Sequence, residues 1–237
     1  PMETLRDAWN LPKETVADNT FWSGFTVQTS ADAMGDALKG EEFVKLILIN
    51  SPNEVVIAGK PEDCQRVLDA LGVSYVAAAL GDVIHCDLVR ADYDALATLH
   101  TMPVSQPENM NFFTAVGYKP LAINSDGIAN NIAEMYCNHV DFPKLVNTVY
   151  ESGSRIFLEL GPRDACTRNI DSILADKEHV SIAVNRKGSS DYNSLVRALA
   201  KLASHQVDMD LSRLFRQPEE DNKPKRKLIK EVKMGSE

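Results

Sequence analysis

The stretch Phe43-Val-Lys-Leu-Ile-Leu-Ile-Asn50-Ser-Pro-Asn53-Glu54-Val-Val-Ile-Ala58 sets two runs rich in β-branched residues on either side of a four-residue turn signal. Asn, Ser and Pro favour tight turns because they bond the local backbone or fix φ, so the stretch predicts an antiparallel hairpin. Upstream, Phe25-Thr-Val-Gln-Thr29 alternates as a strand does, and Ser30 to Leu38 begins on an N-cap residue and continues at helical spacing. Downstream, Pro61 to Leu71 reads as a helix with proline in its first turn and Gly72 as its stop, and Val73 to Leu80 as a fourth strand. The predicted order over Phe25 to Leu80 is β-α-β-β-α-β, the split arrangement of a ferredoxin-like unit.

The flanking sequence has a different pattern. Pro1 to Trp22 predicts a short helix and then a loop. Beyond Asp82-Val-Ile-His85-Cys-Asp87, the expected elements are a helix over Leu88 to Leu99, a strand over Asn111 to Val116, and helices over Gly127 to Tyr136 and Phe142 to Glu151. Arg155 to Leu160 and Val180 to Val184 are apolar strands, each followed by a helix, over Ala165 to Leu174 and Tyr192 to Ser204. Alternation at this spacing predicts a parallel α/β layer. The expected fold class is therefore α/β, with residues 1–24 opening a body, 25–80 forming the small unit and 81–215 resuming the body. Residues 216–237, with their mixed charge blocks, are expected to be a linker or tail. Because the two late strands are apolar on both faces, they are expected to be covered on both sides, and the chain supplies few long strands to do it.

Composition removes several function classes. Among 237 residues, 25 Lys and Arg against 34 Asp and Glu leave a formal charge of −9, the wrong sign for a nucleic-acid binder or an anionic-membrane binder. Cys64, Cys86, Cys137 and Cys166 are scattered without a C-x-x-C pair, so neither a zinc site nor a redox dithiol is expected, and no metal is assigned. Such thiols fit a reducing compartment, and no apolar run nears the roughly 20 residues of a membrane span, so a cytoplasmic location is expected. The start on Pro1 without an initiator Met suggests a piece of a longer polypeptide.

The sequence lacks G-x-S-x-G, the P-loop and G-x-G-x-x-G. Of the five histidines, His100, His179 and His205 read as solvent or capping residues, and His139 is open to either reading. His85 stands at the junction where the small unit ends and the body resumes, where a titratable group suits general-base work, although spacing alone favours a structural role.

Three segments change that weighting. Asn50-Ser-Pro-Asn-Glu-Val-Val-Ile-Ala-Gly59, Val83-Ile-His-Cys-Asp-Leu88 and Phe157-Leu-Glu-Leu-Gly-Pro162 resemble successive signatures of the malonyl-CoA:acyl carrier protein transacylase family, in family order over about Phe25 to Ala203. The finer likeness is to the B-subunit acyltransferase of polyunsaturated fatty acid synthases. The resemblance implies the C-terminal part of an acyltransferase-type α/β body carrying a ferredoxin-like β-α-β-β-α-β subdomain. It implies acyl transfer from acyl-CoA to the phosphopantetheine thiol of an acyl carrier protein, with no bound cofactor. His85 matches the histidine that accepts the proton of a nucleophilic serine, its ring oriented by a main-chain carbonyl near Asn130 to Val140, where Met135 replaces a common glutamine. Asn50, Ile84 and Asn138 are the candidates for substrate contact.

The family's oxyanion segment, serine elbow and carboxylate-binding arginine lie upstream of the matched part, so the partner expected for this chain is the upstream portion of the same acyltransferase. The competing expectation is a non-catalytic domain that binds carrier protein or scaffolds a multienzyme synthase. Asn50 also reads simply as a turn residue, and Cys86 beside His85 invites a Cys-His reading, but neighbours on an extended segment point to opposite sides.

Overall fold

The computed structural model describes residues 2–11, 21–78, 80–105 and 107–214. The expected tail over 216–237, and most of the loop expected before Trp22, lie outside the described residues. The chain divides into one unit over Pro1–Ala198 and a second over Leu199–Glu237.

In the first unit, helix α1 (Met2–Ala8) precedes β1 (Ser23–Val27), α2 (Ala31–Ala37), β2 (Val44–Ser51), β3 (Glu54–Gly59), α3 (Pro61–Leu71) and β4 (Tyr75–Ala78). The strands order as β4-β1-β3-β2, each pair antiparallel, which is the β-α-β-β-α-β connectivity expected from the hairpin outward. Ser51 pairs with Glu54 across Pro52-Asn53. Ser30 caps α2 by accepting from the Ala33 amide at 3.2 Å, and Gly72 ends α3 at φ 62°, a left-handed position that glycine adopts without a Cβ clash.

Strand β3 explains how this sheet is used. Its residues Val55 to Gly59 are all buried instead of alternating. Val55 and Ile57 face Met34, Cys64, Val67 and Leu68 of the two helices, whereas Val56 and Ala58 face Leu5, Trp22, Val83, Cys86, Val89 and Cys137. The sheet is thus a middle layer, and a strand apolar on both faces is what that position requires. The Trp22 indole donates to the Asp82 carbonyl at 3.1 Å, joining the chain's entry into the sheet to its exit.

The body departs from expectation in two places. The helix expected over Leu88 to Leu99 is a 3-10 helix (Asp87–Asp92) followed by α4 (Tyr93–Leu99). The break buries Val89 while leaving Arg90 able to reach Glu134. The strand expected over Asn111 to Val116 shrinks to β5 (Phe112–Phe113), paired only with β6 (Pro120–Leu121). Gly117 and Tyr118, at φ 71° and 53°, turn the chain back at once, a tight turn that the apolar run concealed.

Helix α5 (Ser125–Cys137) then leads into β7 (Val140–Asp141), which adds to β2 in parallel as a fifth strand, and α6 (Phe142–Glu151) follows. Strand β8 (Ile156–Glu159), helix α7 (Ala165–Ile173) and β9 (Val180–Ala183) come next, and α8 (Asp191–Ser204) runs into the second unit. Strands β8 and β9 pair in parallel as a two-stranded sheet, packed through Phe157 against Val146, Ile170 and Leu174. Ile156 and Leu158 on the other face of β8 are exposed.

Candidate functional site

Helix α5 ends without the usual backbone cap. Its C-cap residue Asn138 is extended, at φ −134° and ψ 150°, so the following chain does not fold back onto the last turn. The carbonyls of that turn must find partners elsewhere. The Asn138 amide donates to the Glu134 carbonyl at 2.8 Å, the His85 ring donates from Nδ1 to the Met135 carbonyl at 2.9 Å, and the Cys86 amide donates to the Tyr136 carbonyl at 3.2 Å. The His85-Cys86 dipeptide is therefore the C-terminal cap of α5.

Local sequence forces His85 into this position. Val83 and Cys86 are buried anchors, and the two residues between them are half-buried. His85 itself takes φ 58°, a left-handed backbone that costs a non-glycine residue energy and persists only when its surroundings hold it. The Tyr136 ring lies 6.2 Å from the His85 ring, tilted by 30°. The His100 ring is 6.1 Å from the same Tyr136 ring and is itself tied to the Leu96 carbonyl at 2.8 Å.

A carbonyl can only accept, so Nδ1 of His85 carries the proton and Nε2 presents a lone pair. No hydrogen bond to Nε2 is present among the described residues. The arrangement can take a proton at Nε2 while Nδ1 stays fixed.

Of the other residues expected in the site, Ile84 is half-buried next to His85. Asn138 is on the same helix end as the histidine's acceptor, with its amide engaged twice by Glu134. Asn50 follows Ile49, which pairs with Asp141 of β7. The Asn50 amide donates to Glu54 at 3.0 Å, and Gln28 holds the other oxygen of that carboxylate at 2.8 Å, so Asn50 serves the hairpin. Cys86 is buried and its thiol is pushed up to about 11, chiefly by burial, which leaves it protonated at neutral pH.

A cleft of about 340 Å³ opens beside the last turn of α5, lined by Val116, Tyr118, Met135, Asn138, His139 and Lys144 among others. That is near the lower end of small-molecule sites, at roughly 300–1,000 Å³. The Tyr118 hydroxyl accepts from the Asp141 amide at 3.0 Å, and the Lys144 ammonium sits 4.5 Å above the Tyr118 ring. Sequence reasoning did not single out Arg90 and Glu134, which form two parallel bonds of 2.7 and 2.9 Å. The Arg90 guanidinium holds the Glu134 carboxyl below the usual carboxylate range. The two residues stand 44 positions apart, so no local signal in the sequence pairs them.

The sequence and the fold are similar to those of known proteins. No protein-family model matches the chain. It is 29% identical over 216 residues to the B-subunit of the polyunsaturated fatty acid synthase of Thraustochytrium sp. (strain ATCC 26185 / S-3), a match covering 86% of this chain and 10% of that protein. It is 24% identical over 206 residues to the atrochrysone carboxylic acid synthase of Passalora fulva, covering 80% of this chain and 11% of the relative. Among solved structures, the acyltransferase domain from the second module of the salinomycin polyketide synthase superposes with a TM-score of 0.70 at 20% identity, over 82% of this chain and 46% of that one. A type II polyketide synthase malonyl-transacylase structure, determined with its acyl carrier protein, gives a TM-score of 0.66 at 22% identity, over 84% of this chain and 62% of that one.

The fold is that of the acyltransferase domains, and the chain resembles the malonyl-CoA:acyl carrier protein transacylases and the B-subunit of polyunsaturated fatty acid synthases. It spans about a tenth of the curated relatives' length and about half of the solved acyltransferase chains. Among the described residues no helix is long and apolar enough to cross a membrane.

Proposed function

We propose that this chain supplies the general base of an acyltransferase that moves an acyl group from acyl-CoA to the phosphopantetheine thiol of an acyl carrier protein, within a cytoplasmic synthase of the polyunsaturated fatty acid or polyketide type. The observation that carries the reading is the His85 ring, fixed by a backbone carbonyl with Nε2 open. In this reading the nucleophile is a serine in the part of the acyltransferase fold that the chain does not span. Residues 25–80 act as the small subdomain over the substrate, with residues 1–24 and 81–215 as the body.

Nε2 of His85 takes the serine proton as the serine oxygen forms a bond to the thioester carbon. The tetrahedral intermediate collapses with cleavage of the carbon–sulfur bond, and the departing CoA thiolate takes the proton back. The carrier thiol then gives its proton to Nε2 while attacking the acyl-serine ester, and the serine oxygen leaves and recovers that proton. In both halves the imidazolium is transient. Its Nδ1–H···O=C bond becomes charge-assisted, and the helix end adds about 0.3–1 kcal/mol of favourable interaction. The substrate lies along Ile84 and the Asn138 rim of the cleft.

The test uses the synthase polypeptide that contains both this chain and the remainder of the acyltransferase. Intact-mass spectrometry after mixing with malonyl-CoA or longer acyl-CoAs should show one acyl group on a serine, and His85→Ala should slow loading by about 10²–10⁴-fold without unfolding. This chain alone should show no acyl adduct. Loading at an unchanged rate in the His85→Ala variant refutes the proposal and leaves a carrier-binding or scaffold role.

A further inference from the structure

We infer that Arg90, Glu134 and Asn138 form a clamp whose role is to position the His85 imidazole, with Glu134 as its central member; this rests on the acyl-transfer reading above. Arg90 lies five residues beyond His85, in the 3-10 helix Asp87–Asp92, and its guanidinium grips both oxygens of Glu134 at 2.7 and 2.9 Å. A bidentate pair fixes orientation as well as distance. One of those oxygens also accepts from the Asn138 amide at 2.8 Å, and the same amide donates at 2.8 Å to the Glu134 carbonyl. Met135, whose carbonyl holds the His85 ring, is the next residue in the chain.

The segment that carries His85 is therefore tied to one helix turn at both ends. At its start the ring and the Cys86 amide bind the Met135 and Tyr136 carbonyls, and five residues later Arg90 binds Glu134. Without the second tie, the left-handed backbone at His85 has a lower-energy conformation to relax into, because such a conformation is held only while its surroundings over-determine it. Relaxation draws Nδ1 off the Met135 carbonyl, and with it goes the preference for the tautomer that leaves Nε2 open. Neither side chain of the pair is buried, at 49% and 32% exposure, so breaking the pair strands no charge in the core and the fold survives. Glu134 lines the cleft, and its side chain bonds to Arg90 and Asn138 and not to His85, so it acts as a positioning residue.

The test reads the His85 ring nitrogens by long-range ¹H–¹⁵N NMR at a pH where the ring is neutral. Wild-type chain should show the proton on Nδ1. Glu134→Gln, which keeps size and removes charge, and Arg90→Met should each bring in the Nε2–H tautomer while the amide spectrum elsewhere stays native. If Arg90→Met fails to fold, Arg90→Lys, which keeps the charge and loses the fork, should give the same tautomer change. An unchanged tautomer in Glu134→Gln overturns the clamp. In the full synthase polypeptide, Glu134→Gln should lower kcat for acyl loading by about 10–100-fold, the scale of a misplaced catalytic group. A tautomer change without any rate loss upholds the clamp and overturns the acyl-transfer reading instead.

Discussion

Replacing His85 by alanine and by glycine separates the ring's contribution from that of the backbone it stands on. Both variants lose the bond to the Met135 carbonyl, worth about 0.5–1.5 kcal/mol net, so that loss cancels when they are compared with each other. What remains is the Cβ at φ 58°. A left-handed conformation costs an L-residue roughly 1–2 kcal/mol that glycine avoids. Against this, glycine loses about 0.5–1 kcal/mol more conformational entropy than alanine on folding. The difference leaves the glycine variant more stable by about 0.7 kcal/mol, whereas at an ordinary strand or helix position alanine would win by a similar margin. The sign, not the size, is diagnostic. Urea melts followed by circular dichroism should place the glycine midpoint about 0.3 M above the alanine midpoint, for a slope of about 2–3 kcal/mol per M. Equal midpoints, or alanine the higher, would mean that His85 does not hold a strained backbone.

Other consequences follow from burial and packing. Gly59→Ala should cost about 1–3 kcal/mol in the same melts, because an added Cβ would overlap the Phe43 carbonyl oxygen where β2 begins. With the Cys64 thiol pushed up to about 12 and that of Cys86 to about 11 by burial, timed alkylation at pH 8 should leave both unmodified in the folded protein and label exposed Cys166 first. Leu158 is 44% exposed on a two-stranded parallel sheet, so sedimentation should show self-association that Leu158→Lys reduces. As Arg90 lowers the Glu134 carboxyl below its usual range, the stability this pair contributes is complete above that range and is lost as pH falls through the lowered value. Glu134→Gln should remove that part of the acid titration of stability.

The small sheet was legible because its signals are local. A proline-containing turn, a serine cap and a glycine stop each act within four residues, and the strands paired in the order those signals imply. Residue type alone did not reveal the two-faced burial of β3, since a continuous apolar run fits a buried strand of any sheet. The body was harder to read. Asn111 to Val116 carries a strand-like pattern, but Gly117 and Tyr118 reverse the chain, and a tyrosine at positive φ gives no warning in sequence. In the site, His85 could be singled out by motif, whereas Arg90 and Glu134 meet from positions 44 residues apart, a separation that no local pattern encodes.

The way His85 is held also determines which substitutions around it should be silent. The ring bonds to the main-chain oxygen of Met135, and the adjoining bond, Cys86 to Tyr136, is backbone to backbone, so neither depends on what side chain position 135 carries. A change of side chain at position 135 therefore leaves the acceptor intact. The carbonyls are available only because Asn138 is extended and α5 does not cap itself, and the extended residue is in turn fixed through its amide to Glu134. Backbone geometry thus supplies the acceptor, and a few side chains one turn away keep that geometry in place. Changes at Met135 that preserve helix should be nearly silent for the His85 tautomer, while changes at Glu134 or Asn138, which touch no atom of the ring, should not be.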